Sequence, residues 1–344
     1  MNLLVCGGAG FIGSNFVRRR LTQTDDSIVV LDKLTYAGNR INLAGVESDP
    51  LLGPRMTFVH GDIANPDTVL PLVADADAVV NFAAESHVDR SILDAEAFLR
   101  TGVIGIHVLL EAVRAQAPRR VRFLQVSTDE VYGAVEDGLS VEDDPIAPRS
   151  PYAAAKAAGE LLARSYAITH GLDVVITRGA NTYGPYQHPE KLIPLFITNA
   201  LVDDDLPLYG DGLQQRDWLH VDDHADGVGY VLDHGASGET FNVCAGQLRT
   251  NRDVTAMVLT LTSKPWTLVR TVPDRPGHDR RYAMDGSRLA HLGWRPTVAF
   301  DDGLPATVRW FIDNEGWWRA VRSGGWLDYY EQQYAWRLAA SAPA

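Results

Sequence analysis

The chain has 344 residues, of which 46% are hydrophobic and 22% charged, and its formal net charge is −13. This composition is typical of a globular protein that is long enough for two unequal domains. The negative charge argues against nucleic acid or an anionic membrane as a partner, because either would require a basic surface stripe.

Two cysteines, Cys6 and Cys244, lie in apolar segments. They predict small buried side chains in a reducing compartment, and hence a cytoplasmic location. Two cysteines are too few for a disulfide framework, and no metal site is expected. No apolar run approaches the roughly 20 residues of a membrane span, and the first residues lack the basic region of an export signal.

Six short apolar runs alternate with segments of helical length through the first half of the chain. They occupy residues 3–6, 27–31, 56–59, 78–82, 121–127 and 173–177. Strand-like runs separated by helices predict βαβ units and a doubly wound parallel sheet. Residues 95–116 carry an apolar stripe that predicts one long helix, wide enough for a core contact and a partner subunit.

A glycine-rich turn follows the first run directly. Gly7, Gly10 and Gly13 have the spacing of a dinucleotide fingerprint at the start of a helix. Asp32 ends the second run, where a carboxylate can bind ribose hydroxyls, and it would repel the additional phosphate of NADP. The pattern therefore predicts a Rossmann-type fold that binds NAD. Lys33 argues for NADP, and a glycine-rich turn without a ligand is the alternative.

Two further segments follow predicted strands at the same edge of the sheet. Asp62 and Ile63 come after the third run and suit the amine and the ring of adenine. Ala83, Ala84 and His87 come after the fourth run and face the same crevice by topology.

Acidic and hydroxyl side chains follow the fifth run, and a Tyr-x-x-x-Lys pair comes next. Thr128, Asp129 and Glu130 stand where the strand ends, and loops at strand C-termini carry the catalytic groups of α/β enzymes. Tyr152 and Lys156 are four residues apart in an alanine-rich helical stretch, so they share one helix face.

The ammonium of Lys156 is expected to lower the pKa of Tyr152 from roughly 10 and to make the phenol a base near neutral pH. The alternative is a packing tyrosine with a solvated lysine one turn away. Only four of the 31 basic residues are lysines, which indicates that a compact ammonium is needed at this position.

The sequence pattern of the chain changes after residue 178. Several prolines and a Gly-Asp-Gly turn predict the loops of a smaller, interleaved C-terminal α+β substrate domain. We expect a cofactor-binding domain at 1–178 and about 215–245, the substrate domain at 179–214 and 246–330, and a C-terminal tail at 331–344.

Four motifs together resemble the extended short-chain dehydrogenase/reductase family: the spaced glycines, residues 81–91, residues 127–133 and the Tyr152/Lys156 pair. The triplet Thr128-Asp129-Glu130, with residues 184–194 and 274–278, is similar to the dTDP-glucose 4,6-dehydratases within it. The resemblance extends from residue 1 to about 335. It implies an NAD-dependent hydro-lyase that acts on dTDP-glucose or a related NDP-hexose.

The resemblance also implies a mechanism. Tyr152, assisted by Lys156, takes the proton of the sugar 4-hydroxyl while the C4 hydride passes to tightly bound NAD⁺, and Thr128 hydrogen-bonds the 4-oxygen. Glu130 then removes the C5 hydrogen, and Asp129 protonates the departing C6 hydroxyl. The hydride returns to C6, so NAD⁺ is recycled in each turnover. Repulsion between the two neighbouring carboxyls favours their opposite protonation states.

Further residues are assigned to the two ligands by the same resemblance. Those implied for the cofactor are Gly7, Gly10, Phe11, Ile12, Gly13, Asp32, Lys33, Leu34, Thr35, Asp62, Ile63, Ala83, Ala84, Ser86, Thr101, Tyr152 and Lys156. Those implied for the sugar nucleotide are His87, Thr128, Asn181, Glu190, Lys191, Leu192, Pro207, Leu208, Tyr209, Arg216, Asn251, Asp274, Arg275, Pro276, Gly277 and His278. A homodimer is implied as well, in which residues 95–116 and 152–167 of two copies form a four-helix bundle.

Several positions depart from the family pattern. Gly102, Gly179, Ala180 and Thr182 stand where the family has more polar residues, which puts contacts near the nicotinamide in doubt. For Arg216 the alternative to a phosphate contact is a surface salt bridge. Two other functions stay open: an NAD-dependent epimerase, decarboxylase or dehydratase acting on a UDP- or other NDP-sugar, and a catalytically silent NAD-sensing module.

Overall fold

A seven-stranded sheet forms the centre of the protein, whose computed structural model describes residues 1–343. Its strand order is β10-β6-β5-β4-β1-β2-β3, and every neighbouring pair runs parallel. The strands are β1 (Asn2–Cys6), β2 (Ser27–Asp32), β3 (Met56–His60), β4 (Ala78–Asn81), β5 (Arg122–Thr128), β6 (Val174–Gly179), β7 (Asn181–Tyr183), β8 (Leu206–Tyr209), β9 (Gln215–His220), β10 (Thr240–Val243), β11 (Leu248–Thr250), β12 (Val269–Val272) and β13 (Ala342–Pro343).

Helices connect these strands and flank the central sheet. They are α1 (Phe11–Gln23), α2 (Ala44–Glu47), α3 (Pro66–Ala74), α4 (Val88–Leu93), α5 (Glu96–Leu99), α6 (Ile106–Arg114), α7 (Pro151–His170), α8 (Leu192–Leu201), α9 (Val221–His234), α10 (Asn251–Thr262), α11 (Ser287–Leu292), α12 (Phe300–Asp313), α13 (Glu315–Val321) and α14 (Gly325–Ala339). The architecture confirms the predicted Rossmann-type fold.

Both faces of the central sheet are covered, which explains why its strands are continuous apolar runs. Successive side chains of a strand point to opposite faces. In β1, Leu3 and Val5 belong to the apolar core on one face, with Phe16 of α1. Leu4 and Cys6 belong to the core on the other face. Cys6 is therefore a buried free thiol that packs as a small apolar residue.

A second apolar core lies outside the central sheet. It contains Trp318, Phe311 and Tyr183, and it packs helices α8, α10, α12 and α13 beside two three-stranded sheets. The chain returns from this part to the first sheet at β10, which pairs with β6. The predicted domain boundaries stay predictions. Residues 331–339 of the proposed tail lie within α14, and Tyr334 belongs to the second core.

The predicted long helix at residues 95–116 is helical over most of its length but not uniform. A π-helical segment, Arg100–Gly105, separates α5 from α6. Its glycines lie against neighbouring residues: a Cβ added to Gly105 would lie 2.5 Å from Ile63 Cδ1. One added to Gly159 of α7 would lie 2.4 Å from Gly102 O. Such π segments occur mostly at functional sites, and the hydrophobic pattern does not reveal them.

None of the helices within residues 1–343 combines the length and the apolar character needed to cross a membrane.

Candidate active site

A cleft of about 360 Å³ lies at the carboxyl ends of the central strands, between the sheet and the second core. The loops after β1, β2, β4, β5 and β6 line it, together with α7 and parts of the second core. In open parallel sheets this edge is where ligands bind.

The glycine turn shapes one end of the cleft. Gly7 has a φ of +75°, and a Cβ added there would lie 2.6 Å from the backbone nitrogen of Ala83. A Cβ added to Gly13 would lie 2.3 Å from Gly7 O, so only glycine lets the first turn of α1 pack against the strand end. The bare backbone at a helix N-terminus fits the pyrophosphate of a dinucleotide.

Asp32 ends β2 beside this turn and lines the cleft. One carboxylate oxygen accepts the backbone N–H of Ala9 at 2.9 Å and the other that of Leu34 at 2.8 Å. Lys33, which argued for NADP, lies with its Nζ 2.8 Å from the carboxylate of Asp62. Its charge is thereby balanced within the protein, and the Asp32 carboxylate fits the ribose hydroxyls of NAD.

Thr128, Asp129 and Glu130 form the turn at the end of β5. The hydroxyl of Thr128 donates to Asp129 Oδ1 at 3.0 Å and accepts the backbone N–H of Glu130 at 3.3 Å. Asp129 Oδ2 is buried and has no hydrogen-bond partner among residues 1–343. A short turn after the strand thus directs two adjacent carboxyls into the cleft.

The two carboxyls have different surroundings. Burial and then the charge of Glu130 raise the pKa of Asp129 to about 7. Burial also raises the pKa of Glu130, but Arg275, Lys191 and Arg216 act against it. Asp129 is therefore suited to be the protonated member of the pair and Glu130 the ionised one.

Tyr152 and Lys156 lie in the first turns of α7, which the hydroxyl of Ser150 caps by accepting the N–H of Ala153 at 3.1 Å. Both line the cleft. Lys156 is 6% exposed and donates to Val126 O at 2.6 Å, and burial lowers its pKa to about 8.

The expected low pKa of Tyr152 is wrong for this structure. Burial raises the pKa of the phenol above its ordinary value, the charge of Glu130 adds to that rise, and a hydrogen bond with Thr128 opposes it. The sequence places a cation one helical turn away, but it does not show how much water the site excludes.

Most residues implied for the sugar nucleotide line the same cleft. They are His87, Thr128, Asn181, Glu190, Lys191, Leu192, Pro207, Tyr209, Arg216, Asn251, Arg275 and His278. Arg216 is 5% exposed, donates to Asp279 O at 2.9 Å and lies 4.3 Å from the centre of the Tyr282 ring. The surface salt bridge considered for Arg216 is therefore not formed. Asp217 instead accepts three backbone N–H groups of residues 245–247.

Five residues implied for the ligands do not line the cleft. They are Leu34, Leu208, Asp274, Pro276 and Gly277. Leu208 is buried in the second core because neighbouring strand residues face opposite sides, so Pro207 and Tyr209 of β8 reach the cleft instead. Asp274 lies behind the cleft, where its carboxylate is 2.5 Å from His278 Nδ1.

Leu34 packs against the core on one face of the central sheet, and its backbone N–H holds Asp32. Pro276 and Gly277 form an exposed turn in which Gly277 has a φ of +67°.

The remaining cofactor residues do line the cleft: Phe11, Ile12, Thr35, Ile63, Ala83, Ala84, Ser86 and Thr101. Three of the four departures from the family pattern line it too: Gly179, Ala180 and Thr182. A Cβ added to Gly179 would lie 2.4 Å from Cε1 of His224, whose Nδ1 is 2.7 Å from the hydroxyl of Thr182. A histidine therefore occupies the space beside Gly179, and the sequence motifs did not single it out.

Other lining residues were missed. Tyr334 reaches the cleft from the distant helix α14, and Asp89 lies in the motif at residues 81–91, just beyond the predicted segment 83–87. His87 itself is held between Glu190 O and the hydroxyl of Tyr329, each 3.1 Å from a ring nitrogen, and burial lowers its pKa to about 4. No local pattern brings α14 to this site.

Comparison with known proteins places the chain among nucleotide-sugar enzymes. The family model described as GDP-mannose 4,6 dehydratase matches residues 4–307. The dTDP-glucose 4,6-dehydratase of Streptomyces niveus is 50% identical over 94% of this chain and 96% of its own length.

Solved structures agree with the sequence relatives. The dTDP-glucose 4,6-dehydratase of Streptomyces venezuelae, solved with NAD bound, is 51% identical, with a TM-score of 0.89 over 93% of this chain and 100% of that one. The UDP-glucose 4-epimerase of Thermus thermophilus, in complex with NAD, is 31% identical, with a TM-score of 0.83 over 91% and 100%. The chain therefore belongs to the GDP-mannose 4,6-dehydratase family, within which it is similar to the dTDP-glucose 4,6-dehydratases.

Proposed function

We propose that this protein is an NAD-dependent hydro-lyase that converts dTDP-glucose to dTDP-4-keto-6-deoxyglucose and water. The observation that carries the proposal is the Asp129–Glu130 pair, a buried and a half-buried carboxyl that line one cleft with Tyr152 and Lys156. The relatives that share about half of its sequence over nearly all of the chain are named for this reaction. NAD, when bound, supplies the hydride acceptor for C4 and returns that hydride to C6.

Tyr152 is the base for oxidation at C4 and removes the proton of the 4-hydroxyl. To do so it must be a phenolate, and it becomes a neutral phenol as the hydride leaves C4. Burial raises the pKa of the phenol, so the phenolate needs a positive charge nearby. Lys156 supplies that charge, and Thr128 hydrogen-bonds the 4-oxygen. Asn181, at the start of β7, has a buried side-chain oxygen without a partner among residues 1–343 and lines this part of the cleft.

Glu130 and Asp129 carry the elimination. A ketone at C4 makes the C5 hydrogen acidic, and the ionised Glu130 removes it. The protonated Asp129 donates its proton to the C6 hydroxyl, which leaves as water while the C5–C6 double bond forms. As the hydride is delivered to C6, Glu130 returns the proton to C5. A neutral Asp129 is available up to about pH 7, because burial raises its pKa to that value.

Positive side chains hold the diphosphate in an otherwise acidic protein. Lys191, Arg216 and Arg275 line the cleft on the side of the second core. Arginine offers paired N–H donors that match phosphate oxygens. His278 and Asn251 complete the nucleotide-binding wall.

Conservative variants of the two acids test the function against epimerisation. Asp129→Asn and Glu130→Gln keep the side-chain shape but remove the proton donor and the base. We expect each to lower the dehydration rate by about 10²–10⁴-fold, as is typical when a general acid or base is lost. An epimerase would keep most of its rate in both variants, and the scored products are the 4-keto-6-deoxy sugar and the C4 epimer.

A homodimer is part of the proposal. Large apolar side chains are exposed on the helices predicted for a four-helix bundle: Leu99 is 51% exposed, Ile104 50%, Leu161 52% and Ile168 83%. Large exposed apolar side chains on these helices support pairing with a second copy. A cytoplasmic location is proposed on the two buried free cysteines.

A further inference from the structure

Asp89 is a buried carboxylate that the proposed mechanism does not use. It lies in α4, is 4% exposed, and takes part in contacts with three other segments. Its Oδ1 is 3.3 Å from a terminal nitrogen of Arg275. Its Oδ2 accepts from the hydroxyl of Tyr209 at 3.0 Å and from Nε2 of Gln333 at 2.9 Å.

Gln333 comes from α14 and is also buried. Its Nε2 lies 2.8 Å from the hydroxyl of Tyr209, so amide, phenol and carboxylate form a closed triangle. Tyr209 and Arg275 both line the cleft. Side chains from three other segments thus converge on one carboxylate next to the nucleotide-sugar site.

Arg275 connects this triangle to the elimination base. Within the part of the chain that the structure describes, Asp89 is the only hydrogen-bond partner of the Arg275 side chain, and the buried Nε of Arg275 has no partner. Of the charges around Glu130, Arg275 acts most strongly against the rise in pKa that burial causes. The position of the guanidinium therefore affects how readily Glu130 ionises.

Other groups also face Glu130. The charged and titratable neighbours are Arg275, Lys191, Arg216, Asp279, Asp129, Tyr152 and Tyr282. Only Arg275 among them is bonded to Asp89.

We propose that Asp89 is a positioning residue that holds Arg275 beside Glu130, and that Gln333 of the last helix fixes Asp89 in that role. The inference rests on the proposed function, because it concerns the base of the elimination. It extends the site to Asp89 in α4 and Gln333 in α14, two residues that do not touch C5 or C6 in the proposed mechanism.

The sign of a pH effect distinguishes positioning from a simple ion pair. Glu130 must be ionised to act, so activity is lost as the pH falls through its pKa. If Asp89 positions Arg275, the variant Asp89→Asn lets the guanidinium move away, and the pKa of Glu130 rises. If Arg275 stays in place without Asp89, its charge is no longer neutralised, and the pKa of Glu130 falls.

The experiment measures kcat against pH on the NAD-loaded enzyme with saturating dTDP-glucose that carries deuterium at C5. The label slows removal of the C5 hydrogen, so that the Glu130 step limits the rate. We expect Asp89→Asn to move the acid limb upward by about one pH unit, a typical effect of one displaced charge. Arg275→Met should move it similarly, and the double variant should move it no further than Arg275→Met.

Gln333→Leu tests the same idea without changing a charge, should Asp89→Asn fail to fold. It should move the acid limb upward by a smaller amount, whereas Gln332→Leu, the exposed neighbour on the same helix, should leave it unchanged. Asp94→Asn, an exposed carboxylate at the end of α4, is the matched control for the charge change.

The inference is overturned if the acid limb of the kcat–pH profile of Asp89→Asn is unshifted or moves downward. It is also overturned if the shifts of Asp89→Asn and Arg275→Met add in the double variant. A Gln333→Leu profile equal to that of Gln332→Leu overturns it as well. If the wild-type enzyme gives no 4-keto-6-deoxy product, the proposed function itself is wrong. If the wild-type rate is normal and the variants are unshifted, only the inference about Asp89 is wrong.

Discussion

At the scale of single residues, Asp129 and Glu130 show how surroundings separate two adjacent carboxyls. One carboxyl oxygen of Asp129 has no hydrogen-bond partner among residues 1–343, and the other accepts a hydrogen bond from Thr128. Near Glu130, three cations act against the rise in pKa that burial causes. The same chemical group is therefore suited to be the proposed acid at one position and the proposed base at the next.

Because burial disfavours the ionised form of Asp129, we predict that the free energy of unfolding depends on pH. The pKa of Asp129 is raised from 3.8 to about 7 in the folded protein, so the folded state holds a proton that the unfolded state releases. Stability falls as the pH rises through this window, by up to about 4 kcal/mol.

Asp129→Asn removes that effect. The variant should melt at a higher temperature than the wild type at pH 8, and at nearly the same temperature at a pH close to 4. Thermal unfolding of both proteins at the two pH values checks this. Equal melting temperatures at pH 8 would show that the Asp129 carboxylate is not held in an unfavourable site.

Residue types and spacing predicted side chains that meet at the candidate catalytic centre, but not their exact surroundings. Alternation along β8 would have excluded Leu208, since Pro207 and Tyr209 share the opposite face. The raised pKa of Tyr152 was not predictable, because it depends on burial by segments far away in the chain. His224 carries no motif, and only the fold brings it to the cleft. Asp89 lies in the motif at residues 81–91, but its type and position alone did not mark it as a lining residue.

At the scale of elements, the contact between α7 and the π segment determines where Tyr152 and Lys156 lie. Gly159 is one turn beyond Lys156 and packs directly on Gly102. The sequence predicted both helices, but not the π segment, because six residues of π-helix hardly change an apolar stripe.

Gly159→Ala should disturb this contact. The added Cβ would lie 2.2 Å from Ile106 Cδ1 and 2.4 Å from Gly102 O, and the backbone oxygen cannot move without shifting its helix. We expect a loss of about 1–3 kcal/mol of unfolding free energy, together with a lower dehydration rate because α7 carries Tyr152.

Gly316→Ala is the matched control. Gly316 lies in α13 with no atom within 4 Å of an added Cβ, so alanine should stabilise that helix by about 0.5–1 kcal/mol. Urea unfolding and activity of both variants separate the two effects. If Gly159→Ala had unchanged unfolding free energy and unchanged activity, the two helices could separate without affecting stability or catalysis.

The last helix illustrates what local patterns miss. Residues 331–339 were expected in a tail, but α14 places Tyr334 in the cleft and Gln333 on Asp89. An aromatic-rich helix near the end of a chain cannot be distinguished from a loosely attached one until its packing partners are known.

At the scale of the whole molecule, the alternation of strands and helices was sufficient to predict the parallel sheet and the edge at which the site lies. Alternating βαβ units leave few topologies, and ligands bind at the carboxyl ends of their strands. The fold of the second core was less predictable, since its strands are only two to six residues long and pair across distant parts of the chain.

The exposed apolar surface on α5, the π segment and α7 predicts the assembly. Light scattering should give twice the chain mass of 37.7 kDa for the wild type. Leu161→Glu places a charge in the proposed four-helix bundle and should yield monomers, whereas Leu51→Glu, which is also on an exposed leucine, should stay dimeric. A monomeric wild type would refute the bundle.

The central claim is that one cleft oxidises C4, removes water across C5 and C6, and returns the same hydride to C6. Incubation of the enzyme with dTDP-glucose that carries deuterium at C4, followed by mass spectrometry and NMR of the product, tests it most directly. The account predicts a 4-keto sugar that has lost one water and carries the deuterium in its C6 methyl group. A product of unchanged mass, or a dehydrated product without deuterium at C6, would contradict it.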